Sequence, residues 1–383
     1  MTTPSLIPGH TSTLGTKKYV QQYGSHLPQG HYSDFLNLHY KLSSLGVGSF
    51  PGAADDQVDA QYAEIVERAL LSGINVIDTA AHYRYGRSLA AVGRGIRAAV
   101  EAGVPRDGFF VVSKGGFLVF REGPPADLRD WFAREILAKG LGTADELTQA
   151  HLLSPAHIAF QIELSRNLLG LETLDAFLID QPEVHIPRIG KAGLNTLLEK
   201  VFHVLEQAVK DGKIRTYGIS TFNGFRVETD DPMFQSLTSM QGLAEKAARA
   251  VWQDDQARHA FKVVQMPFNQ VLLEGFTRFN QATGQGNVAS TFQAAHQLKI
   301  YLMSSHSLFK GHLAGQCVDT VHQAMPELPN HAQRALQFNR STPGLGTALV
   351  GVSTPAHLDD LLAVAARPPL EKNAYLKLYQ RTE

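Results

Sequence analysis

One cysteine, Cys317, stands among 383 residues. That excludes an intrachain disulfide and a cysteine-built zinc cluster, and suits a reducing compartment. An excess of either charge is also lacking: 35 Lys and Arg stand against 36 Asp and Glu, a formal charge of −1. Neither nucleic acid nor an anionic membrane is therefore an expected partner. No apolar run reaches the roughly 18 residues of a membrane helix, and the first thirty residues carry no signal-peptide h-region. The expectation is a cytoplasmic protein acting on a small molecule, its oligomeric state left open. The 16 histidines show no HxxxH or HExxH spacing, so no metal is expected. No GxGxxG follows the first apolar run, which argues against an open dinucleotide-binding sheet.

What the sequence does contain is alternation. Short apolar runs at Leu45 to Phe50, Ile74 to Asp78, Phe109 to Ser113, Leu174 to Ile179, Ile214 to Ile219, Lys262 to Met266, Lys299 to Ser304 and Thr347 to Gly351 are separated by stretches of helical period. Eight such units predict an α/β protein of the (β/α)8 barrel class, a fold that often runs to about 250 residues or more as one unit. We expect one domain over 1–383, with 1–35 as an N-terminal extension over the barrel or its bottom and 117–166 as an elaborated segment over the mouth. Trp131 and Phe132 in that segment could line the mouth or anchor the segment.

Active sites of such barrels lie at the carboxyl ends of the strands. INVIDTAAHYRYGRS puts Asp78 at a strand end and Tyr83 on the loop above it, and VVSKGG puts Lys114 at the neighbouring strand end. A phenol with a reference pKa of about 10 can serve as a general acid near neutrality if a cation stabilises its phenolate. On residues alone, a capping Asp, a surface Tyr and an unrelated ion pair fit equally well.

GINVIDTAAHY, FFVVSKGG, GKIRTYGIST, VVQMPFN and STPGLGTALVGVSTPAHLDDLL, each at its proper barrel station, make the chain resemble the aldo-keto reductases from about Gly9 to Ala366, with an opening GHTSTLGT similar to a longer-chain bacterial branch. The resemblance implies that Asp78, Tyr83 and Lys114 are catalytic and that NADP or NAD is the cofactor. It further implies that Ser220 and Gln265 meet the nicotinamide carboxamide, and that Ser307, Leu308, Lys310 and Gly311 meet the pyrophosphate.

The departures bear on function. Where the family has His at the end of strand four, this chain has Asp180; an ionised carboxylate donates no hydrogen bond to a carbonyl and opposes the effect of Lys114. His185, five residues on, is an alternative imidazole. Thr221 replaces the usual Asn, Ser305 the stacking Tyr, and Thr354 and Leu361 the residues that hold the adenosine end, leaving Ser353 and Asp360 there. Three functions follow from these residues: hydride transfer between NAD(P)H and a small carbonyl or alcohol, a barrel doing non-redox acid-base chemistry such as isomerisation, elimination or cyclisation with no cofactor bound, or a non-catalytic binding protein.

Overall fold

The computed structural model describes residues 5–35, 38–283 and 286–379; residues 1–4 and 380–383 of the expected domain lie outside the described residues. Eight parallel strands close into a barrel: β1 (Leu45–Gly48), β2 (Val76–Asp78), β3 (Phe110–Gly115), β4 (Leu174–Asp180), β5 (Ile214–Ser220), β6 (Phe261–Pro267), β7 (Tyr301–Ser305) and β8 (Thr347–Gly351). They neighbour one another in chain order, and β8 returns to β1 with Ala348 opposite Leu45 and Gly351 opposite Gly48. Strands in this setting are covered on both faces, so they read as unbroken apolar runs; β4, LDAFLID, is buried at every position. Eight helices follow the strands: α1 (Asp56–Leu71), α2 (Arg87–Glu101), α3 (Pro155–Leu169), α4 (Ile186–Lys210), α5 (Leu237–Trp252), α6 (Thr291–Gln297), α7 (His331–Arg340) and α8 (Pro355–Ala365). In α1 the buried positions Tyr62, Ile65, Val66, Ala69 and Leu70 recur at three and four residues and form the stripe that faces the barrel.

The N-terminal extension closes the bottom. Its helix Thr13–Tyr23 is capped by Ser12, whose hydroxyl accepts from Gly15 N. Thr11 N donates to Asp175 Oδ1 at 2.7 Å, and the other carboxylate oxygen takes the Arg106 guanidinium at 2.8 Å. The hairpin Tyr32–Phe35 with Tyr40–Ser43 then inserts its aromatics beneath the strands. The Phe35 ring lies 4.7 Å from Tyr301 and 5.7 Å from Phe110, within a cluster that includes Val112, Leu178 and Met303 from the barrel interior.

The elaborated segment after β3 is shorter than 117–166. Ser154 caps α3, and Pro155 stands at its first turn, where the missing N–H costs nothing, so residues from Pro155 onward are the ordinary crossover helix. The extra structure within 117–154 is a helix Leu128–Phe132 that runs into a π turn and a two-residue hairpin, Leu147–Thr148 with His151–Leu152. Phe132 is an anchor, packed with Leu118, Ile136 and Leu152. Trp131 stacks edge-on against Phe120 and lines a cavity of about 1120 Å3 between this segment and His157, Phe160 and Leu164 of α3. None of the residues singled out as catalytic lines that cavity.

Candidate functional site

The barrel register collects the strand-end residues into one layer. Asp78 closes β2 opposite Val112 of β3, Lys114 of β3 lies opposite Leu178 of β4, Asp180 opposite Ser220 of β5, and Ser220 opposite Gln265 of β6. Tyr83 reaches this layer from a tight turn in which Arg84 (φ 49°), Tyr85 (φ 60°) and Gly86 (φ 85°) are all left-handed. Glycine accepts that conformation freely; each of the other two costs roughly 1–2 kcal/mol. Arg84 offsets the cost: its buried guanidinium donates to the carbonyls of Ala53 and Asp55 and to Asp59 Oδ1 at 2.6 Å, and it lies over the Tyr62 ring.

Lys114 is fully buried and donates to three oxygens: Asp78 Oδ2 at 2.7 Å, the Thr79 carbonyl at 3.1 Å and the Tyr83 hydroxyl at 3.1 Å. Those contacts use all three ammonium protons. Burial pulls its pKa down, but the charge of Asp78 outweighs that with the help of Tyr83 and Asp180, and the net direction is upward, so Lys114 is a fixed cation. The Tyr83 phenol is raised by burial, with Lys114 pulling the other way. It therefore rests protonated, with a cation in place for the phenolate that proton donation creates. Asp78 Oδ1 accepts from Gln265 Nε2 at 2.9 Å, and Gln265 Oε1 accepts from Ser220 at 3.2 Å. One chain of hydrogen bonds thus runs from β5 through β6 to Tyr83.

Asp180 faces this chain from β4 and is 4 % exposed. Burial raises its carboxyl to about 6, against the opposing charge of Lys114. Its Oδ2 lies 3.7 Å from His82 Nε2, beyond hydrogen-bond length. The His82 imidazole is held down at about 3 by burial and by Lys114, so the two form a neutral imidazole beside a carboxyl rather than an ion pair. The sequence reading missed His82, although it directly precedes Tyr83; its ring packs edge-on against the phenol at 4.8 Å. His185 does not supply the missing imidazole. It is fully buried behind Asp180 and meets Nδ1 of His151 at 2.9 Å, while Nε2 of His151 donates to the Asp180 carbonyl at 2.6 Å. Gly116 (φ 126°) makes room for that imidazole, since a Cβ there would come within 2.3 Å of His151 Nε2.

On the other side of the mouth the expected cofactor residues have different partners. Thr221 donates to Glu183 Oε1 at 2.5 Å, which also accepts the amides of Phe222 and Asn223; Glu183 is an organiser of the β5 loop absent from the sequence reading. Ser307 donates to the Leu349 carbonyl. The turn Phe309–Gly311 follows Leu308, and Lys310 there is left-handed (φ 57°) and outside every ion pair found among the described residues. Thr354 caps α8 by accepting from His357 N, Asp360 accepts from Asn330 and Gln333 at 2.8 Å each, and Leu361 is core. Ser353, half-buried, precedes the cap. Arg340 is turned to the bottom, donating to the carbonyls of Val364 and Arg367.

Residues 44–229 match the Aldo/keto reductase family. A putative voltage-gated potassium channel subunit beta of Schizosaccharomyces pombe is 24% identical over 189 residues, 49% of this chain and 44% of that one. An uncharacterized oxidoreductase of Bacillus subtilis, YtbE, is 30% identical over 170 residues, 44% of each chain. The matched stretches thus span less than half the length of these relatives. Among solved structures, an aldo/keto reductase from Klebsiella pneumoniae in complex with NADP and acetate superposes with a TM-score of 0.54 at 18% identity, covering 90% of this chain and 92% of that one. At that identity the likeness is one of fold. No helix of the described residues is long and apolar enough to cross a membrane.

Proposed function

We propose that this chain, whose residues 44–229 belong to the aldo/keto reductase family, is an oxidoreductase that interconverts a small carbonyl compound and its alcohol with a nicotinamide dinucleotide. The observation that carries the reading is the buried contact of Lys114 with both Asp78 and Tyr83. When bound, the nicotinamide supplies or accepts the hydride. Tyr83 donates its proton to the carbonyl oxygen, Lys114 stabilises the phenolate that results, and Asp78 holds the ammonium in place. Asp180, when protonated, gives the carbonyl a second hydrogen bond, the part an imidazole would otherwise take; its raised pKa of about 6 keeps that state accessible in mildly acidic solution.

The residues present fit a dinucleotide in part. Ser220 and Gln265 stand at the strand ends with hydroxyl and amide groups suited to a carboxamide, and the turn after Leu308 offers Gly311 and the cation of Lys310 to a pyrophosphate. The stretch from Ser353 to Leu361 holds no Lys or Arg, and a phosphate is held best by charge-assisted bonds. That favours NAD(H) over its 2′-phosphorylated form.

A second reading, non-redox acid-base chemistry in the same pocket, draws on the structural duties of Thr221, Thr354 and Asp360. Titration of the protein with NADH and NADPH, followed by nucleotide fluorescence, separates the two. Micromolar binding of either supports the reductase; none up to millimolar concentration removes hydride transfer and leaves the acid-base barrel.

A further inference from the structure

The loop between β7 and α7, together with the first residue of α7, carries three side chains that nothing in the proposed reaction uses. Cys317 is 4 % exposed, His331 half-buried and His322 exposed, and one ligand atom from each lies within 4.8 Å of the other two. The Cys317 sulfur and Nδ1 of His331 are 3.1 Å apart, and the rings of His322 and His331 are 5.5 Å apart at their centroids. Apart from the Cys317–His331 contact, these rings and the sulfur have no hydrogen-bond partner among the side-chain bonds of the described residues. We propose that Cys317, His322 and His331 form a site for one divalent borderline-soft cation of the zinc class.

Ligand chemistry and geometry both argue for it. A thiolate and two imidazoles are donors that zinc and cobalt(II) take, at about 2.3 Å to sulfur and about 2.0–2.1 Å to nitrogen. Tetrahedral bonds of those lengths place a sulfur and a nitrogen about 3.6 Å apart, so an ion enters by spreading the Cys317–His331 pair by about half an ångström. The exposed side of His322 leaves a fourth position to water. The spacing, Cys-x4-His-x8-His, matches no common zinc motif, and for that reason the expectation of no metal arose.

The loop also gives such an ion a purpose. From His312 to Asn330 its regular structure is two helices of four and six residues, well short of the length at which a helix is stable by itself. Val318 N donates to Gln270 Oε1 and the Arg334 guanidinium to the Met325 carbonyl, and Val321, Met325 and Leu328 pack into the core, while the His322 ring makes no side-chain hydrogen bond among the described residues. Three ligands on one ion join the start, middle and end of this loop, beside the Phe309–Gly311 turn.

The test uses the full chain, stripped of metal by a chelator under reducing conditions and titrated with Co2+ and with Zn2+ against a chromophoric chelator. We expect one equivalent bound, a sulfur-to-cobalt charge-transfer absorption, and release of Co2+ by Zn2+. Cys317→Ser should abolish the charge-transfer band, and His322→Ala, at an exposed position that the fold tolerates, should weaken affinity at least tenfold. Absence of saturable binding, or binding that both variants leave unchanged, overturns the site and leaves a thiol-imidazole hydrogen bond.

Discussion

The two sides of the barrel mouth are built to different standards. On the side of β2 and β3, Asp78, Lys114 and Tyr83 are interlocked at 2.7–3.1 Å around a buried cation. On the side of β7 and β8, Ser307, Thr354 and Asp360 spend their polar atoms on carbonyls, helix ends and neighbouring amides. The proposed acid-base apparatus is thus organised in advance, whereas the proposed nucleotide contacts rest on a few groups and on Lys310, which lies outside every ion pair found among the described residues. On the proposed reading, the contrast teaches that proton transfer is the part of the chemistry this chain would specify most tightly, and cofactor choice the part most open to change by substitution.

The sharpest way to break the comparison is Tyr83→Phe. It removes the proton donor and leaves the turn and Arg84 in place, so turnover should fall by about 10²–10⁴-fold with no loss of thermal stability; measurable carbonyl reduction at the original rate would strip the first wall of its role. Lys114→Met comes next. It leaves Asp78 as a buried, uncompensated carboxylate, and removing one partner of such a pair costs about 3–5 kcal/mol, to be read from denaturant unfolding alongside lost activity. That result would set the pair apart from a surface ion pair, which contributes about 0–1 kcal/mol.

Asp180 gives a pH test. Its carboxyl is raised to about 6 by burial, whereas an unfolded chain titrates near 3.9. Between those values the folded state binds more protons than the unfolded one, so stability declines as pH rises from about 4 to about 6, by at most about 3 kcal/mol, and then levels off. Asp180→Asn should flatten that slope in urea titrations. If the protonated carboxyl assists the carbonyl, reduction by the parent protein should fall about tenfold per pH unit above 6, and the Asn variant, which keeps a donor, should lose this dependence.

The smaller effects probe the other wall. Ser353→Arg, just ahead of the α8 cap, should tighten NADPH by about 1.5–3 kcal/mol, the scale of one hydrogen bond to a charged group, with NADH affinity unchanged in parallel fluorescence titrations. Equal effects on both nucleotides would show that the adenosine 2′ position lies elsewhere. Thr354→Ala should cost about 1 kcal/mol of stability through the lost cap and leave turnover alone, since the hydroxyl is occupied by His357 N.

The barrel was legible because parallel strands buried on both faces leave unbroken apolar runs, and all eight lie within a few residues of where the runs put them. The end of β1 differs, at Gly48 rather than Phe50, because Phe50 is a mouth residue, 65 % exposed and edge-on to Tyr83 at 5.1 Å. Its apolar side chain imitates a strand position. Strand ends placed Asp78 and Lys114 at the mouth with Tyr83 on the loop above, but the residues alone left a capping Asp, a surface Tyr and an unrelated ion pair equally open. The resemblance grouped the three, and in the fold Lys114 meets both others at 2.7 and 3.1 Å. The Gln265 link to Asp78 joins residues 187 apart in sequence, and no local period encodes such a pairing. His82, Glu183 and the His151–His185 pair went unseen for the same reason, since a histidine or glutamate in a loop carries no sign of its partner. Spacing likewise concealed the convergence of Cys317, His322 and His331, which depends on how an irregular loop folds back.

The aromatic hairpin beneath the strands has a consequence for traffic. A vessel with a stopper at its base is filled and emptied by the same neck, and here Phe35 and Tyr40 are the stopper. On the proposed reading, a Tyr83 that has given up its proton is replenished from the mouth side, where bound product would stand in the way. Departure of the product and recovery of the acid would then share one opening.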